Sequence, residues 1–150
     1  AHIWISFSPD LKHWGDHRIL LHARDGGWWD AHKIGLSPPP LRTERGWLVL
    51  YHGVRATAGG SLYRLGLALL DLEDPTRVLR RSREWIFGPR EPYERAGDVP
   101  YAVFPCGWVA EGDEVRLYYG AADTSMALAT ASLTDLLDWL EGHDSTHLGD

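Results

Sequence analysis

Cysteine is almost missing from this chain. Cys106 is the only thiol in 150 residues, so no internal disulfide framework can form, and the usage fits a reducing, cytoplasmic setting. An excess of basic residues is missing too: 15 Lys+Arg against 21 Asp+Glu give a net charge of -6, unlike a protein that neutralises many nucleic-acid phosphates. No apolar run reaches the roughly 18 residues that a membrane span requires, so the chain reads as soluble and globular. Helical periodicity is scarce and appears once. Nor does the start resemble a leader: Ala1 runs straight into the alternation His2-Ile3-Trp4-Ile5-Ser6-Phe7, which reads as the middle of a sheet and suggests a true N-terminus upstream.

What is present is tryptophan, 8 residues, with 6 Tyr beside only 3 Phe. Most of these rings suit the faces of strands, and the remainder could stack on sugars, whose pyranose faces are apolar. Strand signals recur along the chain. Trp47 to His52 follows a turn at Arg45-Gly46, and Tyr63 to Leu70 follows the Gly59-Gly60-Ser61 turn, so these runs read as a hairpin or adjacent strands. Ala102 to Val109 and Val115 to Ala121 flank Glu111-Gly112-Asp113, and Met126 to Ala131 adds a third strand in meander order. The single helical pattern begins at Ser132, with Leu133, Leu136, Leu137 and Leu140 on one face and Gly142 as its stop. The reading is an all-β fold with a short C-terminal helix: residues 1–141 form the folded part and 142–150 a flexible tail. The Pro-rich stretches Ser37 to Pro40 and Pro89 to Pro92 read as loops that line a site rather than as domain boundaries.

Ser8-Pro9-Asp10-Leu11-Lys12-His13-Trp14 has a turn form found in several carbohydrate-active propellers, though a turn-capping Asp and a packing Trp explain it equally well. More specific is the ordered set Lys33-Ile34-Gly35-Leu36-Ser37-Pro38-Pro39-Pro40, Gly46 to Val54, Tyr63-Arg64-Leu65-Gly66, Leu69 to Pro75, Pro92-Tyr93-Glu94, Val103-Phe104-Pro105-Cys106-Gly107 and Tyr118 to Thr124. In that order and spacing, over about residues 4–140, the chain resembles the second half of glycoside hydrolase family 130, the mannoside phosphorylases. One position departs from the pattern: Tyr101-Ala102 stand where members commonly carry an Asn before the following strand.

The resemblance implies part of a five-bladed β-propeller; blades of about 40–50 residues make this length two to three blades, with open strand edges. It also implies an inverting phosphorylase that cleaves β-mannosides with inorganic phosphate to give α-mannose 1-phosphate. No cofactor or metal is expected; phosphate is the co-substrate, a mannose-containing oligosaccharide is the partner, and a homo-oligomer is compatible with the family. Within the motifs, Lys33 and His52 correspond to phosphate ligands, acting with arginines of the other half and converging from separate blades. Asp123 corresponds to an acid that contacts the sugar, with turn capping as its plain alternative. Tyr63 and Phe104 are proposed walls of the sugar pocket, or else ordinary packing residues. Glu94 either holds a loop or touches substrate. The general acid is an aspartate of the N-terminal half, so this chain carries no catalytic residue and is expected to be inactive on its own.

Two other functions remain compatible with the sequence. One is a hydrolase of the same family, and the other is a sugar-binding or assembly module without chemistry. His13 and His17 do not read as a metal pair, because Trp14-Gly15 between them opposes a helix. Cys106, in an apolar strand, reads as a packed thiol. Gly59-Gly60 is a turn, since no phosphate-loop lysine follows.

Overall fold

The computed structural model describes residues 1–148, and its framework is three separate antiparallel sheets. The first pairs β1 (Ile3–Phe7) with β2 (Gly15–Leu21). Asp10 shapes the turn between them: its Oδ1 accepts from the backbone N–H groups of Lys12 and His13 at 2.9 and 2.8 Å. Those bonds, the His13 N–H first, hold its carboxyl down at about 2. Trp14 is more than half exposed, so it does not fill a gap between sheets.

The second sheet contains β3 (Lys33–Leu36), β4 (Leu41–Arg42), β5 (Trp47–Thr57), β6 (Gly60–Leu70) and β7 (Val78–Arg81). Its order is β3-β5-β6-β7, with β4 also against β5. The two apolar runs around Gly59-Gly60 form one long hairpin in unbroken register from Trp47↔Leu70 to Thr57↔Gly60. Both faces of this hairpin are covered, which explains why its strands are continuously apolar rather than alternating. One face, with Leu48, Leu50, Leu65, Leu67 and Leu69, shares a core with the third sheet. The other, with Val49, Tyr51, Ala68 and Leu70, packs with Ile3 and Leu21 of the first sheet. Trp29 lies against Gly53 and Gly66, where a methyl group on either glycine would come within 2.5 Å of its ring.

The third sheet is the expected meander of β8 (Val103–Glu111), β9 (Glu114–Ala121) and β10 (Ser125–Ser132), preceded by the short helix α1 (Pro92–Arg95). Helix α2 (Leu133–Gly142) follows, with the Ser132 hydroxyl accepting from the Asp135 N–H at 3.0 Å as its N-cap. Leu137 and Leu140 bury its apolar face in the core shared by the second and third sheets. The chain is therefore mostly β-sheet with two helices, and no sheet closes on itself among the described residues. Among these residues no helix is long and apolar enough to cross a membrane.

Two expectations differ from the structure. Gly142 is the last residue of α2, and residues 143–147 are not a loose tail. Ser145 N–H donates to the Arg81 carbonyl at 2.9 Å, Arg83 N–H donates to the His143 carbonyl at 2.7 Å, and Ser145 is buried. The segment docks because β7 ends the second sheet with free edge groups, which these backbone and hydroxyl groups satisfy. Gly149 and Asp150, also assigned to the tail, lie outside the described residues. Cys106 is exposed rather than packed, because the alternation of β8 buries Val103 and Pro105 and turns Phe104 and Cys106 outward.

Candidate phosphate and sugar site

A buried charge cluster anchors the loop that leads into β3. Asp30 has no exposure; Arg24 donates to both of its oxygens at 2.8 and 2.9 Å, Arg81 to Oδ2 at 2.9 Å, and the Tyr51 hydroxyl to Oδ2 at 3.0 Å. Burial raises the Tyr51 hydroxyl well above the ordinary tyrosine value, so it stays a donor. This cluster ties the 22–32 loop to β5 and β7. Nothing in the sequence pattern marked it: an aspartate beside two tryptophans and an arginine ending a short strand have no periodicity to betray burial.

From this anchor the chain enters β3, and cross-strand register decides what meets. Lys33 pairs with Val54, which pairs with Tyr63; Gly35 pairs with His52, which pairs with Leu65. Directly opposed residues share a face, so Lys33, His52 and Tyr63 all stand on the face of the second sheet that looks toward the third. Lys33 and His52 are diagonal neighbours, a separation of about 7–8 Å between α-carbons in such a ladder. The expectation of separate blades is thus replaced: both come from adjacent strands of one sheet.

Lys33 is exposed, whereas His52 is buried at 8% exposure. The imidazole lies over Gly35, where an added methyl group would stand 2.5 Å from Cε1 and 2.8 Å from Nε2. Its Nδ1 is 3.1 Å from Ser37 Oγ, and the ring of Phe104, reaching over from β8, lies 5.3 Å away at 44°. Burial first, and then the Lys33 ammonium, push the His52 pKa below the ordinary histidine value, which favours a neutral ring. A cross-sheet hydrogen bond holds the proline loop beside it: Trp108 Nε1–H donates to the Pro39 carbonyl at 2.6 Å, and Pro38 is buried.

Register and ring contact thus gather Lys33, His52, Tyr63 and Phe104 at the opening between the second and third sheets. Asp123 is placed differently. It lies in the β9–β10 turn, past the end of β9 where Ala121 pairs with Val103, and is exposed. Ala122 and Asp123 have φ of 48° and 55°, the left-handed central positions of a tight turn that the Thr124 N–H closes by donating to the Ala121 carbonyl at 3.1 Å. Among the described residues no hydrogen bond to its carboxylate caps the turn.

Glu94 is explained structurally. Its carboxylate accepts from the N–H groups of Arg90 and Glu91 at 2.6 and 2.8 Å and from the Tyr119 hydroxyl at 2.6 Å, and it is buried. Burial would raise its pKa, but the Tyr119 bond and the two N–H bonds outweigh it and hold the carboxyl below its ordinary value. The group fixes a loop. Sequence reasoning gave no role to Gly35, or to Ser37 beyond its loop, although both lie inside the motif; the signal for Gly35 was a glycine opposite a bulky ring in a paired strand.

The arrangement supplies a cation, an imidazole and an aromatic wall at one opening, with the Asp123 carboxylate exposed on the β9–β10 turn. The model of the β-1,4-mannooligosaccharide phosphorylase family matches residues 1–142. Curated relatives include a β-1,2-mannobiose phosphorylase of Listeria innocua, 46% identical over 93% of this chain and 38% of its own length. A β-1,4-mannooligosaccharide phosphorylase of Ruminococcus albus is 37% identical over 95% of this chain and 43% of its own. The chain therefore spans about two fifths of the length of these relatives. Among solved structures, the Listeria innocua β-1,2-mannobiose phosphorylase in complex with β-1,2-mannobiose superposes with a TM-score of 0.88, at 46% identity, covering 95% of this chain and 39% of that one. Another match is described as showing that this family of mannoside phosphorylases contains glycoside hydrolases targeting β-1,2-mannosidic linkages in Candida mannan. It is 32% identical with a TM-score of 0.77, covering 89% of this chain and 41% of that one.

Proposed function

Because the chain belongs to glycoside hydrolase family 130, we propose that residues 1–141 are the C-terminal portion of a five-bladed propeller in an inverting phosphorylase acting on β-mannosides. Three sheets sharing two cores support that architecture. In this reading a phosphate oxygen attacks the anomeric carbon, the glycosidic C–O bond breaks, and the departing oxygen takes a proton delivered through a substrate hydroxyl from an aspartate of the N-terminal half. The product is α-mannose 1-phosphate. Lys33 and His52 hold the phosphate, the first as a point charge and the second as a directional neutral donor. Phe104 and Tyr63 border the sugar, and Asp123 accepts from its hydroxyls.

The observation that carries this reading is the register that sets Lys33 one diagonal step from a buried His52 on one face. Titration calorimetry of the chain with inorganic phosphate tests it. Binding is expected, and is expected to fall at least tenfold in both Lys33→Met and His52→Gln, since charge-assisted hydrogen bonds contribute about 1.5–3 kcal/mol. Phosphate binding indifferent to both substitutions would remove the assignment. With the N-terminal half present, product release that continues without phosphate would favour the hydrolase instead.

A further inference from the structure

We infer that Ser37 is a positioning residue for His52: its hydroxyl donates to Nδ1 and so fixes the ring as the Nε2–H tautomer, with the donor over Gly35. The role in phosphate capture rests on the phosphate reading above; the tautomer does not.

Ser37 Oγ and His52 Nδ1 are 3.1 Å apart, and Ser37 Oγ has no other hydrogen bond among the described residues. Two arrangements satisfy that distance. If Nδ1–H donated to the hydroxyl, the hydroxyl proton would need a further acceptor, and among the described residues no protein group supplies one. If the hydroxyl donates, every polar atom of the pair is used, and an imidazole nitrogen is the stronger acceptor of the two. The remaining proton then sits on Nε2.

The surroundings keep the ring from turning. Gly35 leaves just enough space beneath Cε1 and Nε2, and Phe104 closes the side toward the third sheet. Ser37 is itself held, because buried Pro38 follows it and the Trp108 indole grips Pro39 at 2.6 Å. The hydroxyl, the ring and the missing side chain of Gly35 thus form one device. An Nε2–H donor beside the Lys33 charge that acts on this ring suits an oxyanion, whereas a bare Nε2 lone pair would repel it.

The test is long-range proton–nitrogen NMR of the chain labelled at histidine nitrogen, with His52→Gln used to assign the ring. The expected spectrum shows Nε2 protonated and Nδ1 bare in the native chain and in Ser37→Thr, and a mixture of tautomers in Ser37→Ala. Phosphate affinity should fall about two- to tenfold in Ser37→Ala, the equilibrium worth of one net hydrogen bond, and recover in Ser37→Thr. A native spectrum with Nδ1 protonated overturns the inference, as does a Ser37→Ala spectrum identical to the native one. If phosphate binding requires Lys33 and His52 yet ignores the loss of Ser37, the positioning role fails while the phosphate reading stands. If the tautomer is as expected but the native chain takes up no phosphate, the phosphate reading fails, and Ser37 has no part in capture.

Discussion

His52 is a buried imidazole whose neutral form is enforced from two directions, by lost hydration and by the Lys33 ammonium. Its folded pKa lies below the ordinary value of about 6.5. The unfolded chain therefore binds more protons between the two values, so this residue's contribution to stability is complete above about pH 6.5 and declines as the pH falls toward the folded pKa. Lys33→Met should move the His52 titration upward toward its ordinary value, as followed by NMR of the ring protons, and burial should keep it from arriving there. A titration unmoved by the substitution would mean that the ammonium does not face the ring. Gly35→Ala tests the same spot sterically: the new methyl group must displace the imidazole. Phosphate affinity should drop in that variant while its melting temperature stays within a few degrees of the parent, as measured by calorimetry.

At the scale of elements, the second sheet places the site and the Asp30 cluster holds the approach to it. Asp30 neutralises Arg24 and accepts from Arg81 in the same buried space. Asp30→Asn would leave the buried Arg24 guanidinium without its counter-ion, so a loss of about 3–5 kcal/mol of unfolding free energy is expected in chemical denaturation. A loss below about 1 kcal/mol would show that water reaches the cluster. The same substitution should loosen the 22–32 loop and the segment around Ser145, because Arg24 also bonds the Ser145 hydroxyl at 3.2 Å. The hairpin of β5 and β6 was legible in the sequence, since its apolar runs and glycine turn are local signals. The docking of residues 143–147 was not, because it depends on edge groups of β7 some sixty positions earlier in the chain.

At the scale of the whole molecule, the third sheet presents an uncovered apolar face. Phe104, Gly120 and Met126 form one cross-strand row and Gly107, Tyr118 and Leu128 the next. Met126 is 68% exposed, Leu128 52% and Phe104 50%, a row of exposed apolar side chains of the kind that favours association. The chain is expected to associate with rising concentration in sedimentation-velocity runs, and Met126→Lys with Leu128→Lys should return it to a monomer. A native chain that stays monomeric at high concentration would contradict this.

Composition, turn residues and strand patterning determined by themselves that this is a β-sheet protein with one amphipathic helix near its end, and the ordered motifs determined its family. These are properties of neighbours along the chain, where periodicity and backbone preference act. Only the tertiary structure decided that Lys33 and His52 share one sheet, that Phe104 closes over the imidazole, that Ser37 holds it, that Cys106 faces outward and that Asp30 is enclosed by arginines. Each of those depends on which strand lies opposite which and in what register, a choice made when distant apolar faces are buried together.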